Sequence, residues 1–435
     1  MKEINVKHLA RVEGDGGITV EIDGDQVKKV NVDIFEGPRL IEALAEGKNP
    51  MEAASFTPRI CAICTVSHKN ASIRASERAV KFEEPKKTYY TRELMHMGEM
   101  VESHSLHVFA LALPDFLDGG YPNVIAMVPK YGDIVKQALA LKKFGNRMMQ
   151  VLNGKFIHGE NATPGGFGRF PSKEELIEFK NTALNFIEFM CTATDIFAGI
   201  PMPAHLERDT EYWACNMKDY DGKERFGFWG DELICTDGTI IPSEDYNKHL
   251  IERVVPHSMA KRSLYKERPF SVGALARLLT IGERLTGKAL EYYKKYVKPE
   301  WKKNIIFNNH AQAVEIIFCL ERIPELVDIL LAMPEDPAMT KPTRTEGRGV
   351  GAVEAPRGLL IHDYTYANGL IAKANIITPT AFNLDDCEAF IRKSAETLNK
   401  EGKEVDFMRF EFEKIARAYD PCISCATHLV KVFKK

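Results

Sequence analysis

The chain has 435 residues, 45% of them hydrophobic, which is enough apolar sequence to bury a large core. Its formal net charge of −3 gives no indication of a nucleic-acid partner or of binding to an acidic membrane surface. No apolar run approaches the ~18 residues of a membrane-spanning helix, and the first residues lack the apolar segment of a signal peptide. Nine cysteines without a secretory signal favour a reducing, cytoplasmic location.

The first predicted element is a small antiparallel sheet. Residues 1–35 alternate apolar and polar side chains, with turn signals at 14–17 and 23–25. Further along the chain, apolar residues recur at every third or fourth position, which is typical of helices that bury one face. These helical patterns cover residues 86–112, 132–152, 173–199, 271–297 and 304–333.

The second half of the chain mixes turns, strands and helices. Residues 200–260 are rich in turns, and residues 358–380 contain two β-rich arms around an Ala-Asn-Gly turn, which predicts a β-hairpin. Helical patterns return at 381–398 and 404–419. Because no internal repeat and no Gly/Ser linker interrupts the sequence, we expect one domain over residues 1–435. Its fold class is mainly α with small antiparallel β-sheets (α+β).

Two C-x2-C pairs lie near opposite ends of the chain, Cys61 with Cys64 and Cys422 with Cys425. A structural zinc site usually closes a short loop, with about 15–20 residues between its pairs. The wide separation here predicts instead that two remote segments meet inside the folded protein. Soft thiolates bind zinc, copper(I), nickel–iron combinations or iron–sulfur clusters, so the spacing alone leaves the metal open.

The other five cysteines are scattered singly along the sequence. One of them lies in VEIIFCLERI, an apolar helical pattern. A lone cysteine of this kind is most often a small buried apolar residue. We therefore expect packing roles for Cys191, Cys215, Cys235, Cys319 and Cys387.

The residues around the two pairs narrow the choice of metal. RICAICTVSH (59–68) and DPCISCATH (420–428) resemble the paired signatures of the large, catalytic subunit of nickel–iron hydrogenases. Within that family the chain is most similar to the cytoplasmic NAD(P)-linked group, which includes the archaeal sulfhydrogenases. Five further segments match the family in kind and order: ARVEGDGG (10–17), EGPRLIEALAEGKNP (36–50), GENATPGGFGR (159–169), EAPRG (354–358) and ITPTAFN (377–383).

The resemblance implies the nickel–iron hydrogenase large-subunit fold and reversible heterolytic cleavage of H2. It implies a nickel ion bound by all four thiolates, with Cys61 and Cys422 terminal. Cys64 and Cys425 would bridge to an iron that carries CO and cyanide ligands. Because heterolytic cleavage needs a nearby base, Glu13 of RVEG is the implied proton relay beside Cys422. From the tetrapeptide alone, Glu13 would be a surface carboxylate in a turn.

Three further residues are implied to surround the iron. Arg357 would donate to the cyanides and offset their negative charge, since a guanidinium donates in a fixed fork. Pro379 and Thr380 would cradle the cyanides through main-chain and hydroxyl groups. Without the resemblance, Arg357 would be interpreted as a surface ion-pairing residue and ITPT as the end of a strand.

The resemblance also implies a second, hard metal ion, most simply Mg2+. Glu42, a main-chain carbonyl near Ile376, and His428 are the implied ligands. Carboxylate and carbonyl oxygens are usual for Mg2+, whereas the histidine is carried by the resemblance alone. From the sequence by itself, Glu42 would be a solvated helix residue.

The segment SHSLH (103–107) departs from the family pattern. Many relatives have an acid before its first histidine, and this chain has Ser103. The departure puts in doubt an acidic partner for the active-site arginine. His104 and His107 lie one helical turn apart, and we expect them to be packed, hydrogen-bonded residues rather than metal ligands.

Electrons taken from H2 must leave the chain, which has no further cysteine quartet for an iron–sulfur relay. The resemblance implies a small subunit with iron–sulfur clusters, further subunits that bind flavin and NAD(P), and a maturation protease that removes residues 429–435. His158 and the glycine loop 165–169 are expected to face the partner. The alternatives are a non-catalytic complex I-like subunit, which has lost the nickel cysteines, and a zinc-stabilised scaffold.

Overall fold

The structure, a computed structural model, describes residues 2–427 of the chain. Helices are its dominant element, and those predicted from periodicity at 132–152, 173–199, 304–333, 381–398 and 404–419 are confirmed. The helices are α1 (Ile41–Ala45), α2 (Pro50–Phe56), α3 (Thr65–Val80), α4 (Lys86–Ser105), α5 (Val124–Asn153), α6 (Lys173–Ala198), α7 (Tyr246–His249), α8 (Ala274–Ile281), α9 (Gly287–Tyr296), α10 (Phe307–Leu331), α11 (Pro379–Lys400), α12 (Val405–Ala418) and α13 (Ile423–Ala426).

The strands form three small sheets and one short ribbon. Their orders are β1-β2-β3-β11-β10, β12-β6-β8-β9, β15-β14-β13-β7 and β4-β5. The strands are β1 (Lys2–Val6), β2 (Gly16–Asp23), β3 (Gln26–Ile34), β4 (Ala162–Thr163), β5 (Gly166–Phe167), β6 (Glu211–Asn216), β7 (Trp229–Gly230), β8 (Glu232–Cys235), β9 (Ile240–Pro242), β10 (Leu250–Val255), β11 (Ser258–Tyr265), β12 (Phe270–Ser271), β13 (Gly347–Ala355), β14 (Gly358–Ala367) and β15 (Leu370–Ile377).

The N-terminal sheet confirms the prediction for residues 1–35 and extends it. Strands β1, β2 and β3 form an antiparallel meander. Strands β10 and β11, from the middle of the chain, then join its edge through a parallel contact between Ser258 and Ile34. A second parallel pairing links β12 to β6, so the sheets are antiparallel except at these two joins.

The predicted hairpin at 358–380 is confirmed as β14 and β15, which pair antiparallel across Asn368 and Gly369. Both turn residues have positive φ, as a tight hairpin turn requires. The sequence did not predict β13, which pairs along the whole of β14. Strand β13 packs closely on α3. A Cβ on Gly351 would lie only 2.1 Å from the carbonyl oxygen of Ala71. Glycine is required there for backbone contact.

Two helical predictions were wrong in detail. The pattern at 86–112 ends as an α-helix at Ser105 and continues as a π-helical turn, Leu106–Ala112. The pattern at 271–297 divides into α8 and α9, because Leu285 and Thr286 between them have extended backbone. Helix α3 was missed because its sequence is rich in polar residues such as Ser67, Lys69 and Asn70, although nearly all of its residues are buried.

The hydrophobic core surrounds the two cysteine pairs. Helix α3 starts directly after Cys64, and the loop between α12 and α13 holds Cys422, which pairs as an isolated parallel bridge with Glu13. The site therefore lies where the N-terminal sheet, α3 and the last two helices meet. Within residues 2–427, no helix combines the length and apolar character needed to cross a membrane.

Candidate metal centre

Four cysteine sulfur atoms lie together in the interior. The Sγ atoms of Cys61, Cys64, Cys422 and Cys425 are all within 4.8 Å of one another, and each residue is at most 3% exposed. The contacts are 3.4 Å for Cys61–Cys422, 3.5 Å for Cys64–Cys425 and 2.7 Å for Cys422–Cys425. Among the described residues, this is the one cluster of potential metal ligands. The other described cysteines form no disulfide, and four of the five are buried, as predicted.

Local backbone geometry holds each pair in place. Cys61 directly follows a 3-10 turn, Thr57–Ile60, and Cys64 directly precedes the first turn of α3. The main-chain N–H groups of Ile63 and Cys64 donate to Cys61 Sγ at 3.3 and 3.2 Å. These donors stabilise a thiolate at Cys61, in the way that main-chain donors stabilise other buried anions.

The pKa values of the four thiols are shifted in different directions. Burial raises the pKa of Cys61, but contacts from Cys422, Cys425 and Cys64 and the charge of Arg357 lower it well below the usual range. Contacts with Cys422 and Cys425 lower the pKa of Cys64, and contact with Cys61 and burial raise it to a net value of about 11. Burial raises the pKa of Cys422 and of Cys425. A bound cation would displace these protons, which is how thiolate metal sites form.

Glu13 reaches the cluster from the N-terminal segment. Its Oε2 accepts from Cys422 Sγ at 3.0 Å and from the main-chain N–H of Ser424 at 3.1 Å. Its Oε1 accepts from the Ser424 hydroxyl. The main chain is fixed as well, since the N–H of Ile423 donates to the carbonyl of Glu13 at 2.9 Å. The carboxylate is therefore held within proton-transfer distance of one sulfur.

The glycine of RVEG has a steric role beside this carboxylate. Gly14 has a φ of +85°, and a Cβ there would lie 2.7 Å from the Ile423 Cβ and 2.9 Å from the Ser424 nitrogen. A larger residue would push apart the two segments that carry Glu13 and Cys422. The glycine is thus needed for close approach as well as for its backbone conformation.

Arg357 lies in the two-residue turn between β13 and β14 and is buried. Its Nη2 donates to Asp420 Oδ1 at 2.8 Å, and its Nη1 donates to the Ser103 hydroxyl at 3.3 Å. Burial opposes its charge, but Asp420 and then the sulfur of Cys422 raise the pKa of Arg357 well above the usual range. The acidic partner that Ser103 put in doubt is therefore supplied by Asp420.

A second buried arginine supports the turn that carries Arg357. Arg277, on α8, ion-pairs with Glu315 and Glu354 at 2.5 and 2.7 Å. It also donates to the carbonyls of Ala355 and Pro356 at 3.2 and 3.4 Å. Removing one member of a buried pair leaves an uncompensated charge, so the turn is held strongly.

Pro379 and Thr380 open helix α11 directly beside the cluster. The Thr380 hydroxyl oxygen accepts from the main-chain N–H of Cys422 at 2.9 Å. Because β15 ends at Ile377, the proline both terminates the strand and starts the helix. The structure thus brings Thr380 into contact with the second cysteine pair.

Glu42 and Ile376 also meet. Glu42 Oε1 accepts from the main-chain N–H of Ile376 at 2.7 Å and from Lys261 Nζ at 2.9 Å. The same ammonium reaches Glu252 at 2.8 Å and Asn375 at 3.1 Å. A dication bound by Glu42 would share the carboxylate with this ammonium. The third implied ligand, His428, lies outside the described residues.

A family model for nickel-dependent hydrogenases matches residues 39–121 and 230–428, which include both cysteine pairs. The chain belongs to the nickel-dependent hydrogenase family. It is 39% identical to the alpha chain of sulfhydrogenase 2 from Pyrococcus furiosus, over 99% of this chain and 100% of that one. It is 32% identical to the corresponding chain of the vhu F420-non-reducing hydrogenase from Methanocaldococcus jannaschii, over 92% of this chain and 100% of that one.

Solved structures agree with the sequence relatives. An NAD+-reducing nickel–iron hydrogenase in the H2-reduced state superposes with a TM-score of 0.88 at 29% identity, covering 98% of this chain and 100% of that one. A nickel–iron–selenium hydrogenase of Desulfovibrio vulgaris Hildenborough, at 20% identity and a TM-score of 0.79, shows the same fold. The chain is thus a nickel–iron hydrogenase, an oxidoreductase acting on H2, and the hydrogenase large-subunit fold predicted from the motifs is confirmed.

Sequence reasoning missed several residues around this hydrogenase site. Asp420 was quoted only as part of DPCISC, although it pairs with Arg357. Ser424 sits inside the second C-x2-C and contacts Glu13. Arg39 of EGPR donates to the carbonyl of Ile60 at 2.9 Å and, through its main-chain N–H, to the carbonyl of Thr427 at 2.8 Å. All three residues lie inside motifs that resemble the family, and that position could have indicated them.

Proposed function

We propose that Cys61, Cys64, Cys422 and Cys425 hold the nickel–iron centre of this hydrogenase. The observation that carries the proposal is the cluster of four buried sulfurs within 4.8 Å. Soft thiolates suit nickel and low-valent iron, and the dry interior suits a redox metal. When bound, the metals supply the site at which H2 is polarised and cleaved.

We assign distinct roles to the four cysteines. Cys61 and Cys422 would bind the nickel alone, and Cys64 and Cys425 would bind both the nickel and the iron. Arg357 is the buried cation beside the sulfurs, so it suits an iron that carries CO and cyanide. Pro379 and Thr380 flank the same region, where the Thr380 hydroxyl already contacts Cys422.

Glu13 is the proposed proton relay. Cys422 Sγ can pass a proton to Glu13 Oε2 across 3.0 Å, which is a normal distance for direct transfer. Ser424 donates to both oxygens of the carboxylate and so holds it in this position. The chain thus separates a sulfur that takes up the proton from a carboxylate that carries it away.

A Mg2+ ion at Glu42, Ile376 and His428 is a further proposal. It is supported by the approach of Glu42 to the main chain of Ile376, and Lys261 is its main competitor for the carboxylate. Magnesium analysis of the purified enzyme tests it. We expect about one Mg2+ per chain in the parent and loss of that ion in Glu42→Gln, while Glu46→Gln, at an exposed residue just after α1, retains it. An unchanged magnesium content in Glu42→Gln contradicts the site.

We propose that electrons leave through a small subunit with iron–sulfur clusters. Exposed apolar side chains flank the segments that reach the site, namely Phe35, Leu40, Leu44, Met51 and Phe156. Apolar surface of this kind is typical of a protein–protein interface. His158, whose ring nitrogen lies 3.3 Å from the carbonyl of Cys61, and the 165–169 loop belong to the same proposed face.

Further subunits that bind flavin and NAD(P) would complete the electron path in the cytoplasm. The support is the similarity to a hydrogenase described as NAD+-reducing. We also propose a maturation protease that removes residues 429–435, which lie outside the described part of the chain.

Metal analysis combined with dye reduction tests the central proposal. The purified complex should contain nickel and iron and reduce a dye with H2, and the isolated large subunit should fail to reduce the dye until the iron–sulfur partner is added. Zinc alone, as a zinc-stabilised scaffold requires, would overturn the assignment. Rapid dye reduction by the isolated chain would overturn the need for a partner.

A further inference from the structure

A row of buried polar side chains leads from the active-site arginine away from the metal site. Asp420 accepts from Arg357 at Oδ1, at 2.8 Å, and from Gln312 Nε2 at Oδ2, at 3.2 Å. Gln312 Oε1 lies 2.6 Å from His107 Nδ1. The row ends where His107 Nε2 lies 2.8 Å from the carbonyl of Arg417. The four side chains from Arg357 to His107 are at most 2% exposed.

The carboxylate of Asp420 fixes the orientation of the Gln312 amide. An ionised carboxylate only accepts hydrogen bonds, so the NH2 end of the amide must face it. The reverse orientation would place two acceptor oxygens against each other in a buried site, at the desolvation cost of unsatisfied groups. Gln312 therefore presents its oxygen, an acceptor, to His107.

Both ring nitrogens of His107 consequently face acceptors. The main-chain carbonyl of Arg417 can only accept, so Nε2 carries a hydrogen, and the same holds for Nδ1 opposite Gln312 Oε1. We propose that His107 is held as an imidazolium and that the row His107–Gln312–Asp420 positions Arg357 and places a second positive charge behind it. This inference rests on the proposed role of Arg357 at the metal site.

Asp420 compensates the charge of the proposed His107 imidazolium. His107 Nδ1 lies 4.0 Å from Asp420 Oδ2, so the carboxylate compensates both the imidazolium and the guanidinium. On the opposite side of Arg357, Ser103 offers only a hydroxyl. One carboxylate therefore lies between two cations, and the group as a whole presents a net positive charge to the four thiolates. Gln312 keeps that carboxylate from rotating.

The extra charge has an electrochemical consequence. A positive charge near a metal centre favours the reduced state, and the effect is strong where water is excluded. Loss of the imidazolium should therefore make the midpoint potential of the nickel centre more negative. A residue with a purely structural role would change stability without this directional shift.

Neutron diffraction from crystals of the holoenzyme in D2O counts the hydrogens directly. We expect a deuteron on both ring nitrogens of His107 and the ND2 end of Gln312 directed toward Asp420. A single deuteron on the ring, or a reversed amide, overturns the proposal. This outcome does not depend on activity or on the role of Arg357, so failure here is distinguishable from failure of the proposed function.

Redox titrations of the nickel signal test the effect on the centre. His107→Gln should retain both metals and shift the midpoint potential to more negative values. His310→Gln is the matched control, because His310 is also buried and bonds the Phe197 carbonyl at 2.7 Å, away from the row. If His107→Gln does not fold, Gln312→Met breaks the same row and should shift the potential in the same direction. The parent potential in either loaded variant overturns the electrostatic role.

Discussion

At Cys422 the proposed metal site and the proposed proton path share one sulfur atom. The Sγ contacts Cys425 at 2.7 Å, Cys61 at 3.4 Å and the Glu13 carboxylate at 3.0 Å. The main-chain N–H of the same residue is fixed by Thr380. We therefore expect a substitution at Cys422 to disturb metal binding and proton transfer together, and a substitution at Glu13 to disturb proton transfer alone.

We expect Cys422→Ser to abolish H2 oxidation and to lower the nickel content, because a hydroxyl oxygen is a poor substitute for a soft thiolate. Nickel and iron analysis alongside H2 uptake measures both effects. Cys319→Ser is the matched control, since Cys319 is equally buried but lies in α10, outside the cluster. Full activity with normal nickel in Cys422→Ser would show that the site is wrongly assigned.

Glu13→Gln should keep both metals but slow H/D exchange by a factor on the order of 10²–10⁴, the usual contribution of a positioned proton-transfer group. The amide has nearly the same shape as the carboxylate and cannot carry the proton. Glu21→Gln, on the inner strand β2 of the same N-terminal sheet, where Glu21 pairs with Lys29, should exchange at the parent rate. Exchange at the parent rate in Glu13→Gln excludes this residue as the relay.

At the scale of elements, a buried carboxyl group accepts hydrogen bonds from the first turn of helix α3. Glu99, on α4, accepts from the main-chain N–H groups of Val66 at 2.5 Å and Ser67 at 2.9 Å, and it also contacts the Ser67 hydroxyl. Burial raises the pKa of Glu99 to about 8, although these hydrogen bonds lower it. The folded protein therefore keeps a proton on Glu99 at pH values where the unfolded chain has lost it.

This raised pKa makes stability depend on pH. Below the ordinary pKa of 4.5, Glu99 is protonated in both states, and its contribution is fully present. As the pH rises toward 8 that contribution is lost, at about 1.4 kcal/mol per pH unit. Glu99→Gln should therefore flatten the fall in apparent melting temperature between pH 5.5 and 7.5. The exposed Glu188→Gln serves as control and should keep the parent slope, and an unchanged slope in Glu99→Gln contradicts the assignment.

At the scale of the whole molecule, we propose that residues 1–435 fold as one unit. The N-terminal sheet takes its strands β10 and β11 from the middle of the chain. The proposed metal site brings together Glu13, the first cysteine pair, Arg357 and the second pair. Cutting the chain between Cys64 and Leu250 would divide both the sheet and the site, and cutting it between Arg357 and Cys422 would divide the site.

The last described residues connect the second cysteine pair to the rest of the molecule. The carbonyl of Thr427 accepts from the main-chain N–H of Arg39 at 2.8 Å, just before the proposed cleavage point between His428 and Leu429. We propose that the tail 429–435 keeps the site open for metal loading and that its removal lets the segment close.

Intact mass spectrometry of the nickel-loaded, active enzyme tests this proposal. We expect a large subunit that ends at His428. Cys422→Ser, which should not load nickel normally, is expected to retain the tail and therefore provides the unprocessed reference. A fully active chain that still ends at Lys435 would exclude this role of the tail.

The sequence by itself determined the chemistry of the site. Two C-x2-C pairs supply four soft ligands whatever the fold, because ligand softness is a property of the residue type, but only the fold brings the four sulfurs together. The motifs around them, from RVEG to DPCISC, identified the family and nominated Glu13 and Arg357. Alternation and helical periodicity also predicted the N-terminal sheet, the 358–380 hairpin and most helices.

Only the tertiary structure decided what lies around those residues. Helix α3 and strand β13 pack on each other by backbone contact through Gly351, and no local pattern predicted that contact. The partnership of Arg357 with Asp420, and of Asp420 with Gln312, joins residues from three distant segments. Whether a buried carboxylate or histidine is ionised depends on the hydrogen-bond donors and acceptors that contact it across the core. Local sequence patterns do not indicate these long-range contacts.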